Sequence, residues 1–219
     1  MKDVHNIIFD FGGVILDIDP LRSKEAFRRL FQGNDTWDDA WRKAVPLMER
    51  FEAGALREQE FFNEIGLLFG NRVSQEKLME AWNLILGDLP AARISLLRSV
   101  RKHYHTFLLS NSNVTHYKVY TDTICKRYEP EGFNGLFDGA VFSFMEGGLK
   151  PEPEIYQILL ERYSLKPSQT LFIDDREDNT EAARALGMNA IWLQQGQEVA
   201  DLFTTKGQIN AQRRALNAQ

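Results

Sequence analysis

Short apolar runs that end on a polar residue alternate along this chain with longer stretches of helical period. His5 to Asp10 (HNIIFD) runs apolar into an acid and is broken at once by Gly12 and Gly13, the pattern of a buried strand that stops at a loop. Similar runs recur at Thr106 to Ser110, Ala140 to Phe144, Thr170 to Asp174 and Ala190 to Leu193. Residues spaced for amphipathic helices separate them, so the strands are predicted to pair in parallel through crossover helices, in an α/β fold.

The interval between the first two runs is about 90 residues, far more than one crossover helix requires. Asp19 and Pro20 read as the N-cap and first residue of a helix over LRSKEAFRRLF, and helical spacing returns at Asp38 to Phe51, Glu58 to Phe69 and Gln75 to Leu86. Ala91 to His103 then leads into the second strand. The expected organisation is a core of residues 1–18 and 90–205, an inserted helical bundle at 19–89 and a polar tail at 206–219 that contains Arg213 and Arg214.

Composition narrows the class. Of 219 residues, 43% are hydrophobic and 26% charged, and no apolar run approaches the roughly 18 residues of a membrane span. The start of the chain lacks a basic flank and a long apolar stretch, and Cys125 is the single cysteine, so a cytoplasmic protein without disulfides is expected. A formal charge of −5 with interspersed cations argues against a nucleic-acid partner, and a monomer or homodimer is expected.

In open parallel sheets ligands bind beyond the carboxyl ends of the strands. Those ends carry Asp10, Ser110 with Asn111, Lys150 in GGLKPEPEIY, and Asp174 with Asp175. Carboxylates at separate strand ends can hold magnesium together with phosphate oxygens. A lysine and hydroxyl or amide donors offset the charge of a phosphoryl group, and Asp10 is placed to attack it.

At this point IIFDFGGVI, LLSNSN, GLKPEPEIY and LFIDDREDN resemble, in order, the four motifs of the haloacid dehalogenase superfamily. MERFEAGALREQEFFNEI is similar to a stretch of the cap in its phosphatase and sugar phosphomutase-like branch. The resemblance runs from Asn6 to about Leu193 and implies a Rossmann-like core with an inserted α-helical cap. It implies Asp10 as nucleophile and magnesium ligand and the Gly12 carbonyl as a further ligand. It implies Asp175 as a direct and Asp174 as a direct or water-mediated ligand. Phosphate would meet Gly12, Gly13, Ser110 and Asn111, and Lys150 would order Asp10 and the transferring group. The implied activity is magnesium-dependent hydrolysis of a small phosphorylated metabolite, a sugar phosphate in particular, through an aspartyl-phosphate.

One position departs from the pattern. Most phosphatases of this family carry a second aspartate two residues after the nucleophile as general acid and base, and here that residue is Gly12. General acid and base catalysis contributes about 10²- to 10⁴-fold, so a preference for esters with acidic leaving oxygens is expected, as in a branch similar to glucose-1-phosphate phosphatases. Asp17 and Asp19 follow in the same loop, but Asp19 reads as a helix cap and Asp17 as a surface residue. Met48, Arg50, Phe51 and Glu52 are weaker candidates for facing the site. His103, His105 and His116 lack metal-ligand spacing and read as surface or core. The alternative is a non-catalytic or weakly active member that binds a ligand or partner. A haloacid dehalogenase is disfavoured by the Asp174–Asp175 pair, a receiver domain by the order of the motifs, and a mutase by Gly12.

Overall fold

The computed structural model describes residues 3–70 and 72–210. In chain order its elements are β1 (Asn6–Phe9), α1 (Pro20–Leu30), α2 (Trp37–Glu52), α3 (Glu58–Leu68), α4 (Gln75–Asn83), α5 (Ala91–Val100) and β2 (His105–Ser110). There follow α6 (Val114–Arg127), α7 (Phe133–Leu136), β3 (Gly139–Phe142), α8 (Ser143–Glu146), α9 (Pro153–Arg162), β4 (Thr170–Asp174), α10 (Glu177–Ala185) and β5 (Asn189–Trp192).

The strands form one parallel sheet in the order β3-β2-β1-β4-β5. Alternate residues feed two apolar layers. Ile7, Phe9, Leu108, Leu171 and Ile173 join one core, and Ile8, Phe107, Leu109, Val141 and Phe172 join the other. Both faces are covered, which is why the strands read as continuous apolar runs. The third run stops early as a strand: Ser143 and Phe144, expected in it, begin α8 instead.

Helices α1 to α4 build a separate core around Phe27, Phe51, Phe61, Ile65, Phe69 and Trp82. Stacking of Phe51 on Phe61, with centroids 4.2 Å apart, adds to the burial there. Asp19 caps α1 by accepting from the amides of Leu21 at 3.1 Å and Arg22 at 3.2 Å, as its position before Pro20 predicts. Two chain segments tie this bundle to the sheet domain side by side. The Asp17 amide donates to the Asp88 carbonyl at 2.9 Å, the Gly87 amide to the Asp17 carbonyl at 2.8 Å and the Asp19 amide to the Ile85 carbonyl at 2.8 Å.

Helix α2 ends against the core. Gly54, with φ of +72°, follows it so closely that an added Cβ would lie 2.2 Å from the Phe144 carbonyl oxygen. Only glycine permits both that dihedral and that approach. The Trp82 indole reaches Asn113 at 3.3 Å and Lys118 meets Glu58 at 3.0 Å, so the bundle rests over the carboxyl ends of the strands.

The chain's end differs from the expected tail. Ile209 is buried beside Leu202 and Phe203 in the main core, and its amide donates to the Tyr104 hydroxyl at 3.2 Å. Residues 211–219, with Arg213 and Arg214, lie outside the described residues. Among the described residues no helix is long and apolar enough to cross a membrane.

Candidate active site

Parallel register aligns the polar strand ends. Phe9 pairs with both Leu108 and Ile173, so Asp10, one residue on, comes level with Leu109 on β2 and Asp174 on β4, one residue before Ser110. The Asp10 amide continues the ladder by donating to the Ile173 carbonyl at 2.8 Å.

Lys150 enters from the loop after α8 and bridges the two carboxylates. Its Nζ is 2.6 Å from Asp10 Oδ1 and 2.6 Å from Asp174 Oδ2. All three residues are buried, with side-chain exposures of 2% for Lys150, 10% for Asp10 and 0% for Asp174. Asn111 holds the lysine in place: its Nδ2 donates to the Lys150 carbonyl and its Oδ1 accepts from the Lys150 amide, each at 2.9 Å. Both ends of the Asn111 side chain are thereby engaged with Lys150, and the residue also lines the cavity. Ser110 makes one weak contact, to the Asn111 carbonyl at 3.4 Å, and remains turned to the cavity.

Asp174 is the better anchored of the acidic pair. Its Oδ1 accepts from the Arg176 amide and from Asn179 Nδ2, each at 2.9 Å, while its other oxygen meets Lys150. The Asp175 carboxylate meets no other side chain by a hydrogen bond among the described residues and lies against Gly13, where an added Cβ would come 2.2 Å from Asp175 Oδ2. Gly13 has φ of +78°, and its amide donates to the Leu16 carbonyl at 2.7 Å. That bond removes Gly13 as a phosphate donor; it serves the turn and makes room for Asp175. Gly12 lines the cavity as predicted, and its carbonyl accepts no hydrogen bond among the described residues.

Asp10, Asp174 and Asp175 bring carboxylate oxygens within 4.8 Å of one another. One ammonium serves three carboxyl groups, so negative charge is in excess. Burial pushes the Asp10 carboxyl above its ordinary range, Lys150 opposes this, and the Asp174 and Asp175 charges add to it. Burial and then Asp174 raise Asp175 as well. Lys150 is held upward by Asp10 and Asp174 against its own burial and stays charged. A hard divalent cation with oxygen ligands suits this set, and magnesium needs only one or two such carboxylates. Nearby, the buried Asn179 Oδ1 has no partner and can accept from a water on such an ion.

The cavity over these residues has a volume of about 250 Å³. Sequence reasoning did not single out Ser112, Tyr120, Arg176 or Asn179, all of which line it. His116, read as surface or core, is buried and stacked on Trp82 and also borders the cavity. Asp17 and Asp19 do not reach it: Asp17 pairs with Arg93 at 2.7 Å, and Asp19 caps α1. Of the weaker candidates on α2, Glu52 borders the cavity.

The family described as haloacid dehalogenase-like hydrolase matches residues 4–187. The chain belongs to this family. Among its relatives, the D-ribitol-5-phosphate phosphatase of Bacteroides thetaiotaomicron is 31% identical over 196 residues, spanning 88% of this chain and 93% of that protein. A phosphorylated carbohydrates phosphatase of Thermotoga maritima is 29% identical, over 85% of this chain and 83% of its own. A HAD family enzyme of B. thetaiotaomicron, solved with magnesium and inorganic phosphate, superposes with a TM-score of 0.81 at 30% identity, covering 92% of this chain and all of the other. In this haloacid dehalogenase-like hydrolase, then, the parallel sheet with an inserted helical bundle is the family's architecture.

Proposed function

We propose that the chain is a magnesium-dependent phosphatase that hydrolyses a small phosphorylated metabolite, a sugar or polyol phosphate, through an aspartyl-phosphate on Asp10. The carrying observation is the Asp10–Lys150–Asp174 bridge beside Asp175, at the strand ends and under the helical bundle.

Asp10 Oδ1 is held by Lys150, which aims the carboxylate and leaves Oδ2, with no hydrogen-bond partner among the described residues, to attack phosphorus. Lys150 itself, fixed from behind by Asn111, keeps positive charge where the phosphoryl oxygens gather charge. Ser110 offers a hydroxyl to one of those oxygens. Magnesium, when bound, screens repulsion between the anionic nucleophile and the anionic ester and steadies the charge of the transition state. Asp10, Asp175 and the Gly12 carbonyl are the proposed direct ligands, with Asp174 direct or through water. Residues 1–18 and 90–205 form the catalytic core and 19–89 the cap that excludes solvent and selects the substrate.

The relatives named for a polyol phosphate and for phosphorylated carbohydrates support this substrate class. A non-catalytic binding role has no need of a nucleophile locked to a buried lysine. The test is a panel of sugar, polyol and nucleoside phosphates, assayed with magnesium and with chelator, and with Asp10→Asn as the blank. Turnover of a sugar or polyol phosphate that needs both magnesium and Asp10 is expected. Release that survives the Asp10→Asn change refutes the proposal.

A further inference from the structure

Transfer of a phosphoryl group from an alcohol needs a proton for the leaving oxygen, and Gly12 has none to give. Among the described residues, every titratable group that lines the cavity but one is already committed. Lys150 is locked between two carboxylates. Arg176 pairs with Asp178 and does not give up a proton. His116 points its Nε2 at the Trp82 carbonyl at 3.2 Å, and its Nδ1 meets Asn113 at 3.0 Å. The Tyr120 hydroxyl meets Ser112 Oγ at 2.7 Å, and burial pushes it far up. Asp10 and Asp175 belong to the nucleophile and the cation.

The group that remains is Glu52, the last residue of α2. Glu52 is half-buried and lines the same cavity as Asp10, and its carboxyl has no hydrogen bond or ion pair among the described residues. Its backbone is fixed from the core. The Ser143 hydroxyl meets the Glu52 carbonyl at 2.6 Å and also accepts from the Ser112 amide at 2.9 Å, two residues beyond Ser110. Gly54 then lets the chain press on Phe144. A mobile surface glutamate would need neither device.

We propose that Glu52, carried into the cavity by the end of α2, is the general acid and then the general base of the phosphatase reaction. This rests on the phosphatase reading above. In the first step Asp10 Oδ2 bonds to phosphorus, the phosphorus–oxygen bond to the alcohol breaks, and the leaving oxygen takes the proton of the Glu52 carboxyl. In the second step the Glu52 carboxylate takes a proton from water, whose oxygen bonds to phosphorus. The bond to Asp10 breaks, and phosphate and the starting protonation states are restored.

The charge environment suits both roles. Burial first, then Glu49 on the same helix, raise the Glu52 carboxyl to about 7, and Arg176 on the β4–α10 loop opposes them. From α6, Tyr120 feels both Glu52 and Asp10. His116 is pushed down to about 4 by burial and adds no charge near neutrality. Asp10, Asp175 and Lys150 complete the surroundings across the cavity.

The experiment compares Glu52→Gln with the unaltered chain, both with saturating magnesium, on ribitol 5-phosphate and on p-nitrophenyl phosphate, whose leaving phenolate needs no proton. kcat/KM reports phosphorylation of Asp10, so the variant is expected to lose about 10²- to 10⁴-fold on the alkyl ester and little on the aryl ester. The aryl ester should give a burst of p-nitrophenolate followed by slow turnover, because hydrolysis of the phosphoenzyme has lost its base. In the unaltered chain kcat/KM for ribitol 5-phosphate should fall as pH rises through about 7, and that limb should vanish in the variant. Equal losses on both esters, as a merely structural residue would give, or no loss at all, overturn the assignment of Glu52 and leave Asp10 chemistry standing. Failure of the unaltered chain on both esters overturns the phosphatase reading and this inference together.

Discussion

Replacing Lys150 by methionine removes the one cation that Asp10 and Asp174 share. The two contacts, each 2.6 Å, lie where Lys150 is 2% and Asp174 0% exposed, so water does not take over the lost charge. Breaking a buried ion pair from one side costs about 3–5 kcal/mol, because the remaining charge is left unpaired. For a domain of this size, where 1 kcal/mol moves the melting temperature by about 2–4 °C, the expected fall is about 6–20 °C. Methionine keeps most of the apolar stem, so the loss measures charge and not a cavity. The assay is thermal and urea unfolding with and without magnesium. The cation should restore more of the midpoint in Lys150→Met than it adds to the unaltered chain, since it meets a site one charge more negative. A loss below about 1 kcal/mol, in the range of an exposed pair, or an equal magnesium shift in both proteins, would refute the reasoning.

Three further outcomes follow from particular residues. His116 is pushed by burial from 6.5 to about 4. Its contribution to stability is therefore present above pH 6.5 and is lost as pH falls through about 4. That shift is worth about 3 kcal/mol, and a His116→Gln variant should show a flatter urea midpoint across that window; an unchanged slope would sink the argument. Gly13→Ala forces a side chain onto φ of +78° and against Asp175. We expect a loss of about 1–2 kcal/mol in stability and weaker magnesium binding by calorimetry, with unchanged affinity counting against the placement of Asp175. An added Cβ at Gly12 meets only Ile18, at 3.3 Å. Gly12→Asp should therefore fold, and in the Glu52→Gln background it should recover part of the lost kcat/KM on ribitol 5-phosphate; no recovery would mean that a proton donor is not what the variant lacks.

The sheet and its polar ends were legible because a strand covered on both faces leaves a run of apolar residues, and the first polar residue after it must stand at the rim. Asp10, Ser110 and Asp174 are all found by that rule. The cap was legible as an interval too long for one helix. What stayed hidden depends on partners distant in sequence. Asn111 holds Lys150 by both ends of its side-chain amide, a pairing that no local pattern reveals. Gly13 looks like a second anion donor until its amide meets Leu16. Glu52 is one acid among many on α2, and only the Ser143 contact and the tight passage at Gly54 bring it over the strands. The expected preference for esters with acidic leaving oxygens rests on Gly12 and on the branch whose loop it resembles, and a carboxyl from the cap, as proposed for Glu52, would relax it. The end of the chain was misjudged because Ile209 stands alone among polar residues, and burial of a single apolar side chain leaves no period to read.

Rapid acid quench of the protein during turnover of a radiolabelled phosphate ester, followed by peptide mapping, tests the central claim most directly. The account predicts label on the peptide that carries Asp10, released by hydroxylamine as an acyl phosphate and absent from Asp10→Asn. Phosphate release by Asp10→Asn at an unchanged rate, or label on any other residue, would contradict it.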